Sequence, residues 1–474
     1  MQKNLTENID FIFGPPGTGK TTYLAEKVII PFVRNNDNLK ILVLAPTNKA
    51  ADVLTSRIIE KMGNDNSYED WLIRFGVTND DKLESSPIYH DRNYDIRQNN
   101  KSVIITTIAR FPYDYFMTDK ERIHLQLFDW DYIVIDEASM IPLINIIYPL
   151  YKKKPDKFII AGDPLQIEPI TAIDLWKDEN IYKLVGLNSF KNTQTQPHNY
   201  QVIRLTTQYR SIPVIGEVFS NFAYDGILNH YRANNNQRNL NIENIFKISA
   251  LNIVKFPVSK YESIYKPKRL NKSSSYQIYS ALFSFEFSLF LAKTISDANP
   301  NEEFKIGIIA PYRAQADIID KLTISAKIPQ NIDIQVGTIH GFQGDECDII
   351  VSVFNTPPSI TTSNSMFLNK KNIVNVSISR AKDYLFIVMP DDNTENVNNL
   401  ELIKKVENLC KINNNYSEYN SNDIERLMFG NSKWLEENSF STGHQNVNVY
   451  KLPEKHYEIR SEDKAIDIQI IDKK

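Results

Sequence analysis

FIFGPPGTGKTT, residues 11–22, decides how the rest of the chain is read. Gly14, Gly19, Lys20 and Thr21 stand at the fixed positions of the phosphate-loop pattern G-x-x-x-x-G-K-[ST], and Pro15, Pro16, Gly17 and Thr18 fill the turn between them. Ile9–Phe13 before the loop is an apolar run that predicts a short buried strand, and Thr22–Val33 after it has helical spacing at Leu24, Val28 and Ile29. A phosphate needs this context. Glycines let the backbone wrap the anion, and the helix that follows offers its N-terminal N–H groups and positive dipole end. Lys20 is placed to reach the β- and γ-phosphates, and the Thr21 hydroxyl to ligate Mg²⁺. ATP and Mg²⁺ are the expected cofactors, and the stretch alone does not say what the nucleotide is used for.

The length of 474 residues allows two to four domains, with 42% hydrophobic and 24% charged residues, as in an ordinary globular protein. Cys347 and Cys410 are the only cysteines, too few for a disulfide framework or a zinc site, so a reducing, cytoplasmic setting is expected. No run of membrane-spanning length is read, and no membrane partner is expected. The net charge of −4 does not announce nucleic acid, so any such partner must be held by a local basic groove.

Short apolar runs alternate with helical stretches, which predicts α/β layering with parallel sheets. The first series of strands is Ile41–Ala45, Val103–Thr106, Tyr132–Asp136 and Phe158–Ala161. The second is Val202–Leu205, Ile306–Ala310, Ile334–Gly337, Asp348–Phe354 and Tyr384–Met389. These sort into a first domain, 1–195, with an insert at about 63–100, and a second, 200–392, with an insert at about 228–275. The polar segment 188–199 reads as a linker. A C-terminal extension, 393–474, has helices expected at Glu401–Cys410 and Asp423–Phe429, and strands at Val447–Tyr450 and Ala465–Ile471.

The chemistry-bearing stretches fall at strand ends. Tyr132–Glu137 is an apolar strand ending in two carboxylates, of which Asp136 is assigned to the metal and Glu137 to the attacking water. Ala161–Gln166 places a glycine turn, an acid and an amide after the next strand, where ligands sit in open α/β sheets. Arginines recur in Gln208–Arg210, Pro311–Gln315 and Ser377–Lys382, and such groups neutralise charge that develops on a transferring phosphoryl group. In Gly337–Glu346, His340 has no nucleophile paired with it in sequence, and a structural or nucleic-acid-contacting role is preferred to a general base.

Taken in order, GPPGTGKT, APTNKAAD, DEAS, GDPLQ, QYR, PYRAQ, TIHGFQGDE and VSISRAK resemble the motifs of superfamily 1 helicases over about residues 9–390. The likeness is greatest to the branch that holds the nonsense-mediated-decay RNA helicase, senataxin and the Dna-type helicase-nucleases. It implies two RecA-like domains in tandem, with ATP in the cleft between them and single-stranded DNA or RNA across the top. By the same resemblance Lys20 and Thr21 bind phosphate and Mg²⁺, with Gly14–Thr22 as the phosphate loop, and Asp136 and Glu137 hold Mg²⁺ and activate water. Gln166 senses the γ-phosphate, Tyr209 stacks on adenine, Arg210 and Arg380 meet the γ-phosphate, and Glu346, with Gly344 beside it, binds ribose. Pro46, Thr47, Asn48, Thr107, Pro311, Tyr312 and Thr338 match positions that hold the nucleic-acid backbone. Movement in the 5′-to-3′ direction is implied. The chain departs from the family in three places: Met140 and His340 replace a usual Gln and a usual acid, and thirteen residues before Gly14 leave no room for an upstream barrel, with Gln2 the sole upstream glutamine. The expected function is an ATP-dependent translocase or helicase. The alternative is an ATP-switched nucleic-acid clamp that recruits a protein partner through the C-terminal extension.

Overall fold

The computed structural model describes residues 8–118, 121–169, 176, 179–188, 200–258, 263–270, 274–342, 345–363, 366–391, 398–441 and 448–450. The chain divides into two compact units, Met1–Tyr209 and Arg210–Lys474.

The first unit is built on an eight-stranded parallel sheet. Its spatial order is Gln201–Arg204, Ile9–Phe13, Lys157–Gly162, Tyr132–Ile135, Leu39–Ala45, Lys101–Thr107, Leu72–Phe75 and Tyr89–His90. The inner strands are mostly apolar, as burial on both faces requires; Phe11, Phe13, Ile41, Val43, Ile105 and Val134 are all fully buried. A parallel sheet gathers the carboxyl ends of its strands along one edge. The loops that begin at Gly14, Pro46, Asp136 and Asp163 therefore share that edge, although the sequence separates them widely. After the phosphate loop the helical segment starts at Lys20 and widens into a π-helical stretch, Leu24–Ile29, just ahead of Pro31. Proline has no N–H to donate and crowds the preceding turn, and the wider turn accommodates both.

Two expectations change here. Val202–Leu205, grouped with the second series, is a strand of the first sheet, paired in parallel with Ile9–Phe13. The insert at 63–100 contributes Leu72–Phe75 to the same sheet, and Arg74 on that strand is fully buried. Its guanidinium donates to Asp52 Oδ1 at 2.6 Å and to the Phe75 and Val77 carbonyls at 2.7 Å each, so its charge and its donors are met inside the fold.

The second unit carries a six-stranded parallel sheet in the order Ile332–Thr338, Phe304–Ala310, Cys347–Val353, Ala381–Pro390, Leu251–Phe256 and Tyr416–Asn420. The expected insert at 228–275 thus supplies an inner strand, and the C-terminal extension supplies the edge strand beside it. The extension's helices, Glu401–Lys411 and Ser421–Phe429, are as expected, and Asn448–Tyr450 pairs with Ser439–Ser441; Ala465–Ile471 lies outside the described residues. One helix, Ile278–Ala298, is long and apolar enough by length and composition to cross a membrane, which corrects the reading that no such run exists. It is the core helix of this unit, with 94% of that window buried.

Candidate ATP site and nucleic-acid face

The phosphate loop is held in a form that requires glycine, by close approach at Gly14 and by backbone angle at Gly17 and Gly19. Gly14 N–H donates to the Gly162 carbonyl at 3.0 Å, which ties the loop to the neighbouring strand. A Cβ on Gly14 would lie 2.7 Å from Lys20 Cβ, so only glycine lets the loop close over the lysine. Gly17 and Gly19 have φ of 72° and 74°, the left-handed region that L side chains avoid. Thr18 caps the turn, its hydroxyl donating to the Pro15 carbonyl at 2.8 Å. Pro15 and Pro16 are buried, and Thr21 and Thr22 are half-buried at the start of the helix.

Lys20 is buried and donates from Nζ to Glu137 Oε1 at 2.7 Å. Burial pulls its ammonium down, but Glu137, Asp136 and Asp163 outweigh that and hold it above its ordinary value. Asp136 is almost completely buried, and burial together with Glu137 pushes its carboxyl up against the opposing pull of Lys20. Its Oδ1 accepts the Glu137 N–H at 2.8 Å. Glu137 has φ 48°, a left-handed backbone in a residue with a full side chain. Such a conformation costs on the order of 1–3 kcal/mol and concentrates at functional sites. Gln166 is buried on the same sheet edge, where its N–H donates to the Asp163 carbonyl at 3.1 Å. Tyr209 is 52% exposed, and its N–H donates to the Gly17 carbonyl at 2.8 Å, which ties its backbone to the loop.

These residues fit a nucleotide and a divalent cation. The loop is a cradle that a Cβ would fill, and two adjacent carboxylates, one of them pushed up by burial, face a single lysine. A cation would relieve that crowding.

Sequence reasoning missed Tyr182. Its ring is fully buried against Phe11 and Phe13, and its hydroxyl has no hydrogen-bond partner among the described residues. That oxygen lies 2.2 Å from where a Cβ on Gly162 would stand, so the glycine in Gly162-Asp163 is required by the tyrosine. Burial drives the phenol well above its ordinary value, and the charges of Asp163, Glu137 and Asp136 add to this. A lone tyrosine some twenty residues beyond the strand carries no local signal of this placement.

In the second unit Arg210, Glu346 and Lys382 form one ion cluster. Arg210 Nε meets Glu346 Oε2 at 2.7 Å, Lys382 Nζ meets Glu346 Oε1 at 3.0 Å, and Arg210 Nη1 donates to the Ser379 carbonyl at 2.9 Å. Burial alone would raise the Glu346 carboxyl, but Arg210 and Lys382 outweigh it and hold it at about 2. Arg380 is buried beside Ser379, at the start of the Ala381–Pro390 strand. Beyond the Ile332–Thr338 strand, Phe342 is fully buried. Added Cβ atoms on Gly307 and Gly337 would each lie 2.9 Å from its ring, so the two glycines make its slot. Gly344 and Gln2 lie outside the described residues.

The positions matched to nucleic-acid backbone contacts divide between the units. In the first, Pro46, Thr47 and Asn48 follow Leu39–Ala45, and Thr107 ends Lys101–Thr107. Thr47 is also the N-cap of Asn48–Met62, its Oγ1 accepting the Ala50 N–H at 3.2 Å. In the second, Pro311 and Tyr312 follow Phe304–Ala310, and Thr338 closes the next strand, its Oγ1 accepting the Gly341 N–H at 3.2 Å.

Two family models, each described as an AAA domain, match residues 1–172 and 187–392. The chain is 24% identical over 437 residues to "Probable RNA helicase armi" of Drosophila melanogaster, and 25% over 419 residues to "RNA helicase Mov10l1" of Mus musculus. It is 26% identical over 417 residues to "DNA replication ATP-dependent helicase/nuclease DNA2" of Saccharomyces cerevisiae. The chain belongs to the superfamily 1 helicases. This is a family of ATP-hydrolysing enzymes, and the two parallel sheets are its tandem α/β domains. The matches cover 80%, 80% and 81% of this chain, which spans 35%, 32% and 24% of those relatives in the same order. Among solved structures, the complex of Arterivirus nonstructural protein 10 (helicase) with DNA aligns with a TM-score of 0.40 at 12% identity, covering 85% of this chain and 64% of that one.

Proposed function

We propose that this chain couples ATP hydrolysis to movement along single-stranded DNA or RNA in the 5′-to-3′ direction, and that it separates strands as it moves. The observation that carries the reading is the buried Lys20–Glu137–Asp136 cluster under a glycine-locked phosphate loop, in a chain whose relatives are named helicases. Thr21 and Asp136 would hold Mg²⁺, which supplies charge neutralisation across the phosphates. Lys20, now paired with Glu137, turns to the β- and γ-phosphates when they occupy the loop, and Glu137 is thereby released to orient and deprotonate water. Gln166 reads the γ-phosphate, and Tyr209 offers its exposed ring to the base. By the family resemblance, Arg210 and Arg380 would supply positive charge to a transferring phosphoryl group, and Glu346 would take a ribose. The yeast relative is named for DNA and the mouse relative for RNA, and contacts to phosphate and sugar suit either strand. The two buried free thiols suit a reducing, cytoplasmic setting.

The test is ATPase and displacement of tailed duplexes, run side by side with single-stranded DNA and RNA. Glu137→Gln should retain ATP binding and lose strand-stimulated turnover by a factor of about 10² or more, as expected for a general base. Full turnover in that variant would overturn the assignment. Strand-stimulated ATPase without displacement on either tail polarity would turn the reading to the ATP-switched clamp.

A further inference from the structure

Four loops converge at the carboxyl edge of the second unit's sheet. Tyr312 follows Phe304–Ala310, His340 follows Ile332–Thr338, and Phe367 lies in the connection that leaves Cys347–Val353. Phe367 sits between the other two rings, its centroid 5.7 Å from Tyr312 and 6.0 Å from His340, with the His340 pair inclined by only 22°. All three residues are half-buried. The fourth loop is a hairpin, Lys268–Leu270 with Ser274–Tyr276. It is fastened to the site by Ala314 N–H donating to Ser274 Oγ at 2.9 Å and by Arg269 Nη2 donating to Ser359 Oγ at 3.2 Å. Arg269 is near enough to Tyr312 to oppose the burial that pushes its phenol up. Burial, helped by Lys370, lowers His340, so that its ring is neutral at neutral pH. Apolar rings rimmed by cations, one of them on a hairpin otherwise unrelated to the ATP site, match the chemistry of a strand whose bases stack while its phosphates are paired.

The geometry points to a base-stacking platform made by Tyr312, Phe367 and His340, with Arg269 and Lys370 holding the phosphates of the same single strand. It rests on the reading of the chain as acting on single strands, and adds a contact to bases where backbone contacts alone were expected. Base stacking tolerates any sequence because every base has a π face, so the platform would strengthen grip without adding specificity.

The probes are a fluorescein-labelled oligothymidine and the same strand carrying abasic sites, with binding read by anisotropy. Phe367→Leu keeps apolar volume and removes the π face. It should weaken binding of the intact strand by about tenfold, leave the abasic strand unchanged, and leave the salt dependence unchanged because phosphate contacts remain. Phe367→Tyr should restore the difference. ATPase without any strand should stay at the wild-type level. His340→Ala is measured alongside and should lose part of the same difference, which keeps the test decisive if the leucine variant folds poorly. Wild-type affinity for both strands in both variants, or an equal loss on both strands, overturns the platform while leaving the translocase reading in place. A wild-type chain that binds neither strand and whose ATPase ignores both removes that reading and the platform with it.

Discussion

At the scale of single residues, the candidate ATP site is a set of local compromises made tolerable by their surroundings. Glu137 adopts a left-handed backbone, and Asp136 is buried beside it with its carboxyl pushed up. Tyr182 keeps a hydroxyl near three carboxylate residues with no partner for its proton among the described residues. A buried, unmet hydroxyl costs roughly 1–3 kcal/mol. Tyr182→Phe retains the ring packing on Phe11 and Phe13, so it should raise the unfolding free energy by about 1 kcal/mol in urea titration. A loss of stability in that variant would show that the hydroxyl is satisfied within the fold. The Asp136-Glu137 pair was legible because it ends an apolar strand. Tyr182 was not, because its placement depends on Gly162, on another element, leaving space for it.

At the scale of elements, the helix Ser421–Phe429 docks on the core helix Ile278–Ala298 through a polar contact inside an apolar interface. Tyr279, fully buried, donates to Glu425 Oε1 and accepts from the Ser421 hydroxyl, and Glu425 Oε2 accepts the Leu435 N–H at 2.9 Å. Tyr265 and Glu436 complete the surroundings. Burial pushes the Glu425 carboxyl up to about 7 from its ordinary 4.5, despite the hydrogen bonds it accepts. Between those values the folded chain binds more protons than the unfolded one, so this contribution to stability is present at low pH and is lost as pH rises towards 7. Glu425→Gln should flatten that slope, as read from urea midpoints at about pH 5 and about pH 8. An unchanged slope would assign it to other groups. Neither partner stands out in sequence: SNDIERLMF reads as an ordinary amphipathic helix, and Tyr279 as one more apolar residue in a long run.

At the scale of the whole molecule, the C-terminal extension is part of the second unit's sheet. Tyr416–Asn420 pairs with Leu251–Phe256, and Lys255 on that inner strand bonds Glu407 at 2.8 Å and Glu418 at 3.4 Å, both contributed by the extension. A chain ending at residue 392 would expose the Leu251–Phe256 edge and take Glu407 and Glu418 away from Lys255. It should lose cooperative unfolding of the second unit and precipitate on expression, as followed by soluble yield and thermal melting by circular dichroism. An unchanged melting profile would make the extension an appendage. The polar strand YSEYN escaped notice because an edge strand, exposed on one side, needs no apolar run.

The sequence by itself determined the family and where the candidate nucleotide-binding residues fall, because each motif is a strand end and its turn, specified by residues close together in the chain. Strand composition likewise determined parallel α/β layering, since burial on both faces demands continuous apolar runs. Only the tertiary structure decided that Gln201–Arg204 completes the first sheet, that the region around Leu251–Phe256 and the extension complete the second, and that Arg74, Tyr182 and Phe367 stand where they do. Pairing and burial join residues far apart in sequence, and local pattern carries no record of the partner. The phosphate loop shows both sides: its glycines were legible in residues 11–22, while the carboxylates that face Lys20 arrive from strands more than a hundred residues away.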